Sequence, residues 1–168
     1  MSSELEHVCL VPFSEVAELV EPWLEHSAGA RPSQGIPPHV TLLFPCPPDP
    51  DGVGEIVADV AAFEVDFREV RRFPGVVYLA PEPAEPFVEL TRALWRRFPG
   101  WPPYGGVHPT ITPHLTVAWH EKLDEAETDV ASRLPVRGCA REAALLRRAA
   151  PERWESVARF PFRDASCR

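Results

Sequence analysis

The chain has 168 residues, 45% of them hydrophobic and 25% charged, a balance that fits one globular domain and excludes disorder, collagen and a coiled coil. Lys and Arg number 17 against 25 Asp and Glu, a net charge of -8 that disfavours sliding along duplex nucleic acid or clinging to an anionic membrane, while leaving a small or end-bound phosphate substrate open. No apolar run approaches the roughly 18 residues of a membrane span, and Met1 to Glu6 lacks a basic stretch followed by an apolar one, so a cytoplasmic location is expected.

His7 to Phe13, rich in Val, Leu and Phe, reads as a first strand, and Val16, Leu19, Val20, Trp23 and Leu24 recur at helical spacing, with Pro22 as a point of kinking or restart. A loop with Gly29, Gly35, Pro37 and Pro38 leads to a strand from His39 to Phe44, closed by Pro45, Pro47, Pro48 and Pro50. Val53, Ile56, Val57, Val60 and Ala61 mark a second helix, opened by Gly52 to Gly54, and Phe63, Val65 and Phe67 alternate as a strand.

The same order then repeats. Val76 to Ala80 is a strand, Phe87, Leu90, Leu94 and Phe98 a helix, Pro99 to Pro113 a loop, His114 to Trp119 a strand, and Leu123, Ala126, Val130 and Leu134 a helix. Cys139 to Arg148 and Trp154 to Phe162 read as two more strands, the latter with Trp154, Ala158, Phe160 and Phe162 on one face. One domain, 1–168, is expected, with two similar lobes of about 1–75 and 76–168 and C-terminal strands exchanged between them. The four cysteines are scattered without a C-x-x-C pair, so Cys9, Cys46, Cys139 and Cys167 are expected to be free thiols.

Each half carries one phrase at the same place: Pro38-His39-Val40-Thr41-Leu42 and Pro113-His114-Leu115-Thr116-Val117. In a strand, His39 and Thr41 share one face while Val40 and Leu42 anchor the other, and His114 and Thr116 stand likewise against Leu115 and Val117. Six His and six Thr would give about 0.2 H-x-T triplets by chance. Three occur, and the third, His108-Pro109-Thr110, lies in a loop without apolar anchors and with a proline that cannot join a ladder, so it is set aside. A lone His-x-Thr strand is more often a histidine satisfied at a sheet edge. Two copies in matched contexts point to a paired site.

Pro-His-Val-Thr-Leu-Leu-Phe-Pro (38–45), Pro-Tyr-Gly-Gly (103–106) and Pro-His-Leu-Thr-Val-Ala (113–118) resemble the 2H phosphoesterase superfamily, and within it the bacterial 2'-5' RNA ligase-like proteins and RNA 2',3'-cyclic phosphodiesterases. The resemblance implies a bilobal α+β fold with antiparallel sheets about a central cleft and helices outside, His39 and His114 as the catalytic pair, and Thr41 and Thr116 as phosphate ligands. In the RNA-acting branch a basic residue often follows the Ala of the second motif, whereas here Ala118 is followed by Trp119 and His120. Trp119 either stacks on a base or fills core space, and Tyr104 either meets substrate or anchors its loop. Phe44, which ends the first motif, is grouped with them as an aromatic expected near substrate.

A cyclic phosphodiester needs a base for water and an acid for the departing sugar oxygen, and two imidazoles with pKa about 6.5 divide those roles near neutral pH. Threonine hydroxyls donate to the non-bridging oxygens as charge shifts. With the net charge of -8 favouring hydrolysis, the activity that the resemblance implies is hydrolysis of 2',3'-cyclic phosphates on an RNA end or small nucleotide to a 2'-phosphate, expected of a monomer without metal, cofactor or obligate protein partner. 2'-5' RNA ligation and a non-catalytic nucleotide-binding module are the alternatives. A zinc site from His108, His114 and His120 is disfavoured, because six extended residues span about 20 Å against metal bonds of about 2 Å. No H-E-x-x-H, G-x-S-x-G or strand-borne phosphate loop is present. Arg68, Arg71 and Arg72, and Arg92, Arg96 and Arg97, read as solvated faces.

Overall fold

A computed structural model of the protein describes residues 6–27 and 31–167. Among these residues the chain runs β1 (His7–Pro12), α1 (Ala17–Leu24), β2 (His39–Leu43), α2 (Pro50–Val57), β3 (Phe63–Phe73), β4 (Val76–Glu82), α3 (Glu85–Arg97), β5 (Leu115–Trp119), α4 (Leu123–Ala131), β6 (Val136–Ala140), β7 (Glu142–Ala150) and β8 (Arg153–Pro161). This is the expected α+β class with antiparallel sheets. The two four-stranded halves, β6-β3-β4-β5 and β2-β1-β7-β8, join through β2 and β5 into one eight-stranded sheet. No helix of the described residues is long and apolar enough to cross a membrane.

Local sequence accounts for most of these elements. The Asp49 carboxylate caps α2 by accepting from the Gly52 backbone N–H at 3.0 Å, with Pro50 in the first turn where its missing N–H costs nothing. Gly52 also lets α2 close on α3, since a Cβ there would lie 2.8 Å from the Phe98 ring. Pro22 neither stops nor restarts α1, which continues to Leu24. Of the first predicted loop, Gly29 lies outside the described residues.

All four helices lay their apolar stripes on one face of the sheet. Leu19 and Val20 of α1, Val53 and Val57 of α2, Phe87, Leu90 and Leu94 of α3, and Ala126 and Val130 of α4 form the main core with Val11, Val40, Leu79 and Leu115 of the strands. On the opposite face, Val8, Leu10, Ala144, Leu146 and Trp154 form a smaller cluster with Ile36.

The segment Cys139 to Arg148 is two strands rather than the single one expected: β6 pairs with β3 and β7 with β1. Only Arg141 separates them along the chain, yet five strands lie between them in the sheet. In a flat sheet with spacings of about 4.8 Å they would stand about 29 Å apart, far beyond the roughly 3.5 Å that one residue spans. The sheet therefore curls into a half-barrel whose edges meet. The Phe162 N–H donates to the Arg141 carbonyl at 2.8 Å, and Ala61 bridges to Arg163, both at this seam.

The seam also overturns the expectation of four free thiols. Cys139 on β6 and Cys167 beyond β8 form a disulfide with their Cα atoms 5.8 Å apart, while Cys9 and Cys46 are free and buried. Spacing along the chain does not reveal which sheet edges meet. A further correction concerns β8. Leu145 pairs with Ala158 but Leu146 with Ser156, so Val157 is a bulge residue and the alternation changes sides there. Trp154 consequently joins the smaller cluster while Phe160 and Phe162 pack on the main core.

Candidate active site

The two motif strands are neighbours. Val40 pairs with Leu115 in an antiparallel ladder, both side chains in the main core. One residue to either side, the register sets His39 across from Thr116 and Thr41 across from His114, all four on the face away from the helices and all half-buried. The histidines are diagonal neighbours in this square, a relation that holds such residues about 7–8 Å apart and within reach of one ligand between them.

Each motif is followed by the same irregularity. Thr41 pairs with Leu10 but Leu43 with Cys9, leaving Leu42 as an extra residue; Thr116 pairs with Tyr78 but Ala118 with Val77, leaving Val117 as one. These β-bulges turn both residues after each threonine into the main core. A bulge frees backbone groups from the ladder, and here a hydroxyl meets one beside each. Thr91 Oγ of α3 donates to the Leu42 carbonyl at 2.6 Å, and Ser27 Oγ, just after α1, accepts from the Trp119 N–H at 3.0 Å.

The imidazoles are held alike. His39 Nδ1 donates to the Pro37 carbonyl at 2.7 Å and His114 Nδ1 to the Thr112 carbonyl at 2.8 Å. With Nδ1 occupied two residues back in each strand, Nε2 is the nitrogen free to exchange a proton with a ligand. Burial pushes His39 down to about 4, against the Pro37 carbonyl, which favours the proton, and with the His114 charge adding to the fall. Burial also lowers His114, but less far, with the Thr112 carbonyl opposing and the His108 charge assisting. The site thus presents two neutral imidazoles near pH 7 with two hydroxyls beside them.

Around His114 the walls are aromatic. Phe73 stacks on Tyr78 with ring centroids 4.3 Å apart, and both meet the His114 ring edge-on at 5.2 and 5.7 Å. Tyr104 stacks over His114 at 6.4 Å and stands 6.4 Å from Phe44, so the two expected aromatics occupy one wall. Its backbone is left-handed (φ 51°), tied by its N–H to the Phe44 carbonyl at 2.6 Å. Burial raises the Tyr104 phenol, with the Thr41 hydroxyl acting in the opposite direction. His108 is exposed beside Tyr104. Trp119 lies at the other side, 40% exposed. It lines, with His39 and Thr116, a recess of about 130 Å³. Phe73 and Tyr78 were not singled out in the sequence; Tyr78 falls within the strand expected over Val76 to Ala80, and only the ladder shows that this strand flanks the second motif.

Among the described residues no group of three His, Cys, Asp or Glu is placed to hold a metal ion. Arg68, Arg71, Arg72 and Arg97 pair with acidic side chains, as solvated faces do.

The family model of the 2'-5' RNA ligase superfamily matches residues 12–152. The chain belongs to that superfamily. It is thus a member of the 2H phosphoesterases that its paired motifs resembled. Among solved structures it is similar to Escherichia coli LigT complexed with phosphate (15% identity, 95% of this chain and 99% of that one, TM-score 0.60) and with 3'-AMP (15%, 96% and 100%, 0.61). It is also similar to a phosphoesterase (14%, 95% and 99%, 0.59). At such identities the likeness shows a shared fold. No curated protein matches the chain in sequence.

Proposed function

We propose that the protein is a metal-independent phosphodiesterase that opens 2',3'-cyclic phosphates of RNA ends or nucleotides. The observation that carries this reading is the cross-strand square of two Nδ1-locked histidines and two threonines. His39, the more depressed imidazole, is neutral and takes a proton from water at Nε2 as the water oxygen bonds to phosphorus. The bond from phosphorus to O3' breaks, and His114, less depressed and charged by the approaching anion, donates its Nε2 proton to that oxygen. The product carries a 2'-phosphate and a free 3'-hydroxyl. Solvent resets the two imidazoles. Thr41 and Thr116 donate to the non-bridging oxygens. That LigT is complexed with phosphate and with 3'-AMP supports a nucleotide-sized phosphate ligand here.

The same reading treats the chain as one domain of two lobes dividing near residue 75, and it includes a cytoplasmic location. The Cys139–Cys167 bridge argues the other way, since thiols are kept reduced there, and thiol titration of the protein in cell lysate weighs the two. The activity is tested by a panel of 2',3'-cyclic mononucleotides, RNA with a cyclic-phosphate end and a cyclic phosphate derived from ADP-ribose, each with and without EDTA. Release of a 2'-phosphate at a rate indifferent to EDTA is expected. Joining of RNA ends without hydrolysis, binding without turnover, or a rate abolished by EDTA and restored by zinc or manganese would each overturn it.

A further inference from the structure

We propose that Trp119 is a stacking platform for a nucleobase or similar flat heterocycle, carried by the substrate beside its singly charged phosphate. The inference rests on the phosphodiesterase reading and names a determinant of its specificity.

By simple alternation Trp119, three residues after Thr116, would stand on the opposite face of β5. The bulge at Val117 reverses this: Thr116 pairs with Tyr78, Ala118 with Val77 and Trp119 with Val76, which returns the indole to the face of the histidines. The same bulge arithmetic places Phe44, three residues after Thr41, on that face beside the smaller apolar cluster. The two aromatics are thus equivalent positions of the two halves, but they are used differently. Phe44 is covered, by that cluster and by Tyr104. Trp119 is 40% exposed.

Its setting is built rather than loose. The Trp119 N–H is fixed by Ser27 Oγ at 3.0 Å. One side of the indole is backed by the His120 ring, stacked at 5.3 Å and 30°. His120 holds a left-handed backbone (φ 67°) with its N–H donated to the Gly75 carbonyl at 2.9 Å. A Cβ on Gly75 would come within 2.8 Å of the His120 ring, so glycine at that turn is what lets the imidazole tuck in. The indole also lines the 130 Å³ recess whose other walls include His39, Thr116, Pro37 and Ser27. That volume is well below the roughly 300–1,000 Å³ of a pocket enclosing a whole ligand. It suits one ring, with the sugar and phosphate lying over the histidine and threonine square. Among the described residues the recess walls contain no Lys, Arg, Asp or Glu, so they favour a neutral flat group over a second phosphate.

The test is equilibrium binding of 2'-AMP and of ribose 2-phosphate, which differ by the base alone, to the wild-type chain, Trp119→Ala and Trp119→Phe, with circular dichroism to verify folding. Wild type is expected to prefer 2'-AMP. Trp119→Ala is expected to weaken 2'-AMP by about 5- to 150-fold, the range for losing one base–aromatic stack, and to leave ribose 2-phosphate unchanged, with Trp119→Phe in between. Equal affinity of wild type for the two ligands, or a loss common to both, would overturn the proposal. So would tighter binding of adenosine 2',5'-bisphosphate that Trp119→Ala abolishes, since the recess would then take a phosphate. Because the readout is binding, it stands apart from turnover: base-selective binding without hydrolysis keeps the stacking role and removes the enzyme, whereas hydrolysis with identical KM for wild type and Trp119→Ala removes the stacking role alone.

Discussion

The strands β2 and β5 carry the same device in different surroundings. Each presents a histidine whose Nδ1 is tied two residues back, a threonine on the same face, and a bulge with a hydroxyl beside it, from α3 in one case and from just after α1 in the other. Beyond the backbone the likeness ends. His39 stands between prolines and a recess open at Trp119, while Phe73, Tyr78 and Tyr104 wall His114. The backbone repeat makes the two imidazoles available; burial depresses His39 further than His114, as a division into base and acid requires.

The largest effect is expected from removing either histidine. General acid or base assistance contributes about 10²–10⁴-fold, so His39→Ala and His114→Ala should each lose about that much in kcat/KM. The double variant should lose far less than the product, because the pair acts as a unit. Unequal single losses would show that one motif alone carries the rate.

Next come the hydroxyl supports. Thr91→Val leaves the buried Leu42 carbonyl unmet and is expected to cost about 1–3 kcal/mol in urea unfolding. Ser27→Ala, facing a part-buried contact, should cost less. The reverse order would mean that the second bulge, and not the first, is the more dependent on its helix.

The depressed histidines give a smaller, pH-dependent effect. Above pH 6.5 His39 is neutral in both folded and unfolded chains and contributes no slope. As pH falls from 6.5 towards about 4 the unfolded chain takes up a proton that the native site refuses, so stability declines through that window, by up to about 3 kcal/mol. His39→Gln should flatten the profile, and His114→Gln should flatten it less. Because both groups lie below their ordinary value, kcat/KM is expected to peak on the acid side of pH 6.5.

The smallest effect sharpens the assignment of the acid. His108 lowers His114 only through its charge, so His108→Ala should leave the maximal rate nearly unchanged and move the alkaline limb slightly towards higher pH. A shift of the acid limb instead would exchange the roles given to His39 and His114.

Period and punctuation made the elements and the paired motifs legible, because a half-buried strand must alternate and an amphipathic helix must repeat its apolar residues. Thr91 and Ser27 were invisible as parts of the site: a hydroxyl that meets one carbonyl or N–H across the fold leaves no pattern. The bulges at Leu42, Val117 and Val157 were equally hidden, since an extra residue in a strand is defined only by its partner. That is why Trp154 was assigned to the wrong face, and why the placing of Trp119 had to wait for the ladder. The disulfide was missed for a related reason, as it joins two edges whose meeting is a property of the curl.

The route of the chain through that curl bears on how the molecule comes into being. β1 pairs with β2, which soon follows it, but its other neighbour is β7, so that Cys9 must wait for Leu145. α1 is covered by β5, and β3 is paired with β4 and β6 of the later half. The first half cannot bury its apolar surface from residues already synthesised. Assembly therefore follows release of the C-terminal strands, with the slow rates that long-range pairing imposes. A nascent chain stopped near residue 75 is expected to remain protease-sensitive until the rest is supplied.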